Sequence, residues 1–491
     1  MYFNIYDQVI ASVSLFLIVF APLSFGAVQG WALTVVWTMV LVLLGTWLLK
    51  WISLREPSSV NPPFWLAALL FLLLIIFQLI PVPASWHDFL TSGPSALVEN
   101  SASVSNLEKR LADHPWRSLT LNPRATQVGL VNLVTCLAFC LILTNNFLSL
   151  ERVKTLIFAL VGVGSFEAIY GLFEYWSGRQ NIFWYKKVYY LEEVTGTYVN
   201  HNHFAGLMEL TIPLTIAVFT VEYSRHFVDG KTQFFSTLKK LSVETCLKLA
   251  ALLIAMGVMF MALVLSKSRV GLVASILSLI VLAALVQKRR GHSAVVQIAI
   301  GLTLISGLVT VRFDRGPIER FSWWQDEALI RFNLWKDAIK MVPDFPLFGR
   351  GLGTFRQAIP YYRSKLDFVN ISDAPHGAFW HHAHNDYLQL LIECGAVGFL
   401  LMIWGFIRTS RHLILGLARN TDWEIATIGY ALLSGMVALL IHSFFDFNFH
   451  IPANALIFCT LLGLSLVLAS GSATSQPASR DILENKLEAR V

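Results

Sequence analysis

The stretch APHGAFWHHAHNDYLQLLIECGAVGFLLMIWGFI begins at Ala374 and sets four histidines (His376, His381, His382 and His384) directly against an apolar run. Imidazoles at this density support three chemistries. They can ligate a transition metal such as zinc or copper, although adjacent histidines rarely complete a metal's shell without carboxylates or thiols. They can line a polar surface at a membrane boundary. They can also move protons, because an imidazole titrates near working pH. His384 is the one placed for that task, just before the apolar run. If the run is a helix, its free N–H groups and dipole favour a phosphate nearby.

Arg269 is the second chemically telling residue. LVLSKSRVGLV leaves almost no loop between two apolar runs, so the guanidinium sits close to the hydrocarbon boundary. It is either a snorkelling interfacial arginine or an anion site, since a guanidinium binds phosphate bidentately. Arg331, on an amphipathic segment, poses the same alternative.

The elements that must position these groups follow from composition. The chain has 491 residues, 55% hydrophobic and 14% charged, with a mean hydropathy of +0.60. Soluble domains run nearer to about 25% charged, so an all-α, polytopic membrane protein is expected. Roughly 20 apolar residues cross the hydrocarbon. Twelve such spans are predicted, at 8–25, 32–50, 63–81, 126–145, 153–176, 204–221, 248–266, 270–287, 294–311, 387–407, 424–444 and 452–470. The run after Gln8 lacks a basic n-region and a cleavage site, so it is expected to remain as an anchor. Cys136, Cys140, Cys246, Cys394 and Cys459 follow no zinc or disulfide spacing.

Lysine and arginine orient the chain. With the N-terminus inside, the cytoplasmic connections carry most of the short-loop basic residues, among them Lys50, Arg152, Lys154, Arg225, Arg408 and Arg419. The net charge of +6 is therefore read as orientation, with no nucleic acid partner. Both termini are expected to be cytoplasmic and the histidines outside. Three regions are expected: N-terminal membrane helices over 1–194 with an outer loop at 82–125, a membrane domain over 195–470 with an outer loop at 312–386, and a polar, mobile tail over 471–491. Within the second loop, Ala328, Phe332, Trp335, Ile339 and Val342 mark an amphipathic helix stopped by Pro343. Its start at Phe321, Trp323 and Trp324 suits the membrane interface. PDFPLFGRGLGTF after it lacks the features of a nucleotide loop and reads as a turn-rich connector.

Polar residues crowd the predicted outer span ends: Glu174, Asn200, His201, Asn202, His203, Glu209, Lys267, Arg269, His384, Asn385, Asp386, His442, Asp446, Asn448 and His450. Ionisable groups at membrane depth face a bundle interior or a wet cavity, so an outward-opening polar cavity is expected. Asn385, Asp386, Asn200, Asn202, His442, Asp446 and Lys267 are its candidate substrate-binding residues. Glu167 is the main deep acidic residue.

HAHNDYLQLLIECGAVGFLLMI (His382–Ile403) resembles the H-N-x-Y/L-x-x-L-x-E-x-G-x-x-G-L motif of the O-antigen ligase and Wzy-type polymerase-like superfamily. LSKSRVGL is similar to that family's S-R-G turn, with Val270 ahead of Gly271. RFNLWKDAIKMVPDFPLFGRGLGTF resembles its outer-loop helix and connector, HSFFDFNFHIPANALIFCTLLGL its closing span pair, and GTYVNHNHFAGLMELTIPL its N-x-N segment. The likeness covers roughly 195–465; earlier residues share only hydropathy.

The resemblance implies a GT-C-like glycosyltransferase, an O-antigen ligase or polysaccharide polymerase, in the bacterial inner membrane. It would act at the periplasmic face in lipopolysaccharide or exopolysaccharide biosynthesis. The donor would be an undecaprenyl diphosphate-linked glycan, and the acceptor a glycan or lipid A core hydroxyl. No nucleotide sugar, cofactor or metal is required, and polysaccharide export or assembly proteins are candidate partners. Family members carry essential residues at the positions of Arg269, Arg331 and His384. The two arginines would hold the diphosphate, and His384, itself oriented by Asn385 and Asp386, would orient or deprotonate the acceptor hydroxyl. The alternative from another class is a multi-spanning transporter of a small anion or polysaccharide precursor, which predicts inverted repeats and midplane breaks.

Overall fold

The computed structural model describes residues 5–54, 61–91, 114–226, 241–287, 293–313, 324–362 and 381–472. His376, Phe321, Trp323, much of both long loops and nearly all of the tail after Ser470 lie outside the described residues.

Helices stand at all twelve predicted places. Ten are long and apolar enough to cross a membrane. They are α1 (Ile5–Leu23), α2 (Gly30–Leu54), α5 (Pro123–Asn146), α6 (Leu150–Ser177), α7 (His201–His226), α8 (Val243–Leu265), α9 (Arg269–Gln287), α13 (Asp386–Arg419), α14 (Trp423–His442) and α15 (Pro452–Ala469). The other two are shorter in their apolar part: α3 (Trp65–Leu79) and α10 (Ser293–Phe313). Between the spans lie α4 (Ala84–Leu90), α11 (Trp324–Ala338) and α12 (Phe355–Ala358). Two ribbons, β1 (Val82–Pro83) with β2 (Trp116–Arg117) and β3 (Asn181–Ile182) with β4 (Tyr185–Lys186), and four short 3-10 turns complete the described elements. The protein is an all-α, multi-pass membrane protein.

Capping residues begin these helices where the sequence supplies them. Asn122 caps α5 ahead of Pro123, Ser149 caps α6, Ser242 caps α8 and Asp422 caps α14, each side chain accepting from an early backbone N–H. α7 is the axis of the bundle, and its spanning window is wholly buried. It packs on α6, α8, α9, α10, α14 and α15, as an all-round apolar helix must. Thr211, Thr215 and Thr220 fold their hydroxyls back onto α7's own carbonyls, which removes donors from the apolar interior.

Ion pairs close one end of the bundle. Asp7 lies 2.9 Å from Lys50 and 3.1 Å from Arg152, and Glu424 meets Lys154 at 2.5 Å and Arg225 at 2.8 Å. The histidine-rich segment is at the other end.

α13 is broken at Gly395, where φ is 63° and ψ −173°. The glycine-rich stretch, read from sequence as a plain connector, fills the break. Ala396 N donates to Pro346 O, Val397 N to Leu347 O, Arg350 N to Ile392 O and Gly351 N to Glu393 O. Gln78 of α3 completes the junction, donating to Phe348 O and Glu393 O and accepting from Leu352 N. Backbone groups freed by a helix break in an apolar setting need such partners. A Cβ on Gly349 would lie 2.3 Å from the Glu393 backbone, and one on Gly395 2.4 Å from Leu347. Glycine at both positions is therefore a steric requirement.

Candidate active site

The turn from His442 to His450 organises the histidine-rich end. Tyr387 Oη donates to Leu440 O, Asp386 N to Ser443 O, and Arg331 Nη1 to Phe445 O at 2.5 Å. These bonds tie the start of α13 and the middle of α11 to the end of α14. Asp446, wholly buried, projects from this turn.

Asp446 gathers two of the three expected catalytic groups, His384 and Arg331, with His203 beside them. His384 Nδ1 lies 3.4 Å from its Oδ1, His203 Nε2 3.8 Å from the same oxygen, and Arg331 Nη2 4.0 Å from Oδ2. Burial alone would raise this carboxyl. Contact with His203, His384 and Arg331 outweighs burial and holds it well below the usual carboxylate range. His384 adopts φ 49°, a left-handed conformation uncommon for a residue with a side chain. Asn385 next to it is extended and caps α13 by accepting from Leu388 N. Phe447 is ringed by three imidazoles, with centroids 4.7 Å from His203, 4.3 Å from His382 and 4.8 Å from His384.

Asp386 faces elsewhere than the sequence suggests. Its Oδ1 is 2.8 Å from His450 Nδ1 and its Oδ2 accepts from Phe449 N, so Asp446 is the carboxylate against His384. Burial opposes the charged form of His450, but Asp386 and then Glu393 push its pKa above the ordinary value. Gln389 Nε2 faces His450 Nε2 at 3.0 Å and donates to Glu393 Oε1 at 3.0 Å. Glu393 in turn accepts from Gly353 N and Phe355 N. A polar chain thus runs from Asp386 to the glycine-rich loop. The N-terminus of α13 also differs from its expected role: the Asp386 and Leu388 amides are occupied by Ser443 O and Asn385 Oδ1.

The other candidates are distributed around this centre. Arg269 opens α9, half-buried, two residues before Gly271, where an added Cβ would meet Ala205 and Glu209 at 2.8 and 2.9 Å. Lys267 has φ 56°, and its Nζ is 4.0 Å from Glu192. Asn200 Oδ1 accepts from Asn202 N ahead of α7, and both residues are half-buried. His442 is buried, its Nδ1 2.7 Å from Glu209 Oε1. Glu167 accepts from Thr197 N at 2.7 Å and Thr197 Oγ1 at 2.5 Å, anchoring the segment before α7. Burial and nearby histidines depress His382 well below the ordinary value, whereas His381 is exposed. Among the described residues no group of three or more His, Cys, Asp or Glu is arranged to hold a metal.

Sequence reasoning missed Gln389, Glu393, Gln78 and Phe447 as organisers of the site. Glu393 is the glutamate of the quoted motif and Gln78 a polar residue near the end of an apolar run, so each left a trace. Nothing in the sequence marks Phe447 among the neighbouring phenylalanines.

A multi-pass helical bundle with a buried carboxylate between an imidazole and a guanidinium at one end is the class defined by this fold and site. Residues 254–403 match the family model described as O-Antigen ligase. The match contains Arg269, Arg331 and His384 and ends before Asp446. No curated protein matches the chain.

Proposed function

We propose that the chain is a membrane glycosyltransferase, an O-antigen ligase or polysaccharide polymerase. It moves glycan from an undecaprenyl diphosphate carrier onto an acceptor hydroxyl at the periplasmic face of the bacterial inner membrane, with both termini in the cytoplasm. The observation that carries this reading is Asp446, buried between His384 and Arg331. The distribution of lysine and arginine supports the orientation.

Asp446 stays ionised and favours a proton on His384 Nδ1, which leaves Nε2 to accept the proton of the acceptor hydroxyl. The acceptor oxygen bonds to the anomeric carbon as the carbon–oxygen bond to the diphosphate breaks, its electron pair going to the phosphate oxygen. A single displacement inverts the anomeric centre. Arg331 and Arg269 stabilise the charge that develops on the leaving diphosphate. Arg331 is held by Phe445 O, so its position is set before substrate arrives.

Reconstitution with a lipid diphosphate-linked oligosaccharide, alone and with a second acceptor, tests the reading. A ladder from the donor alone identifies a polymerase. One transfer that needs the second acceptor identifies a ligase. No release of lipid diphosphate in either condition sinks both.

A further inference from the structure

The mechanism above leaves a second buried carboxylate–imidazole pair unused. Glu209 of α7 and His442 of α14 meet at 2.7 Å, with side chains 0% and 1% exposed. Contact through His442 Nδ1 leaves Nε2 as the second ring position, and that nitrogen is buried with no hydrogen-bond partner among the described residues. Glu209 Oε2 is in the same condition, as are Ser443 Oγ, Asp446 Oδ2 and Asn448 Nδ2. Four of these five atoms belong to the stretch 442–448, and the fifth is bonded to its first residue through the same carboxylate. Isolated buried polar atoms are costly, and ordered water with two to four polar neighbours is the usual remedy. A dry core has no use for so many in one stretch.

We propose that Glu209 and His442 form a proton-holding pair, joined by internal water to Asp446, that takes up the proton His384 removes from the acceptor. The inference rests on the glycosyl-transfer reading. Each transfer breaks one acceptor O–H bond. As its proton enters His384 at Nε2, the Nδ1 proton leaves toward Asp446 and passes through water to His442 Nε2. His442 becomes an imidazolium facing the Glu209 carboxylate, and His384 is neutral again. As the product leaves, the held proton returns through the same water to His384 Nδ1 and the Nε2 proton passes to solvent, which restores the starting tautomer. No oxidant or other co-reactant is needed. Asp446, Arg331 and His203 act on the pair electrostatically. Gly271, near the start of α9, leaves room for Glu209 Oε1, which would lie 2.9 Å from an added Cβ there.

The test uses the full chain in nanodiscs with the lipid diphosphate-linked donor and an acceptor. Glu209→Gln keeps the shape and removes the charge; His442→Gln removes the imidazole. Each is expected to lower kcat by about a hundredfold, as loss of an acid–base group does, with KM held within about twofold. The pH profile of kcat should lose one limb. An unchanged kcat and pH profile in both variants overturns the proposal. So does a fall in kcat that tracks a raised KM and a lowered unfolding temperature, because that is a packing role. Infrared difference titration of wild type against Glu209→Gln, without substrate, gives a readout independent of turnover. A Glu209 carboxyl band that neither titrates nor responds to His442→Gln refutes the pair. Absent turnover by wild type would instead count against the glycosyl-transfer reading.

Discussion

Asp446 Oδ1 lies 3.4 Å from His384 Nδ1, whereas Asp386, two residues from His384 in sequence, is 2.8 Å from His450. Chain proximity and chemical proximity therefore point to different carboxylates. Asp446→Asn should lower glycan transfer by about a hundredfold or more, the scale of a lost acid–base arrangement. Asp386→Asn should cost less, since it leaves the His384 contact in place. Rates of lipid diphosphate release at matched protein level compare the two, and equal effects would remove Asp446 from its special position.

Arg331 reaches a carbonyl with one nitrogen and stands near Asp446 with another. Lysine carries a point charge and cannot hold both with a planar fork. Arg331→Lys should therefore lose about tenfold or more in activity while the protein remains folded. Arg269→Lys should also lose activity if its guanidinium holds diphosphate. Wild-type turnover in either variant would remove that residue from the mechanism.

Gly395→Ala and Gly349→Ala each place a Cβ within 2.4 Å of backbone, at φ 63° and 71°. The combined overpacking and left-handed strain should cost about 2–4 kcal/mol. Gly45, inside α2, has nothing among the described residues within 4 Å of an added Cβ, and Gly45→Ala should gain up to about 1 kcal/mol from helix propensity. Thermal unfolding of the three variants in one detergent checks the contrast.

The Asp386–His450 pair gives stability a pH dependence of known sign. Its imidazole pKa is raised from 6.5. The pair's contribution is therefore complete below the unfolded value and lost as pH rises through the higher folded one. The stability gap between wild type and His450→Gln should narrow with increasing pH across that window. A gap that widens there would contradict the assignment.

The helices at the twelve predicted places were legible because each apolar run stands out from the connections around it, although α3 and α10 fall short of spanning length in their apolar part. Arg269, Arg331 and His384 stood out in the sequence because a charged or titratable group beside hydrocarbon is conspicuous, and two of them, His384 and Arg331, lie near Asp446 in the structure. Their partners were less so. Asp446 could be named as a cavity residue, but its pairing with His384 depends on how the 442–450 turn folds over the start of α13. The glycine-rich stretch is turn-rich as read, but its second role was not legible: its hydrogen-bond partners belong to a helix break some 45 residues later, and local turn chemistry gives no sign of that distant ladder.

The lock between Gly349 and Gly395 also limits how the molecule can move. The glycine-rich loop and the broken helix share four backbone hydrogen bonds and a junction with α3 through Gln78. Neither side can swing alone without tearing that ladder. A load applied to this part of the loop by a bulky glycan would be transmitted as leverage on α13, and from there to the residue at its head, His384.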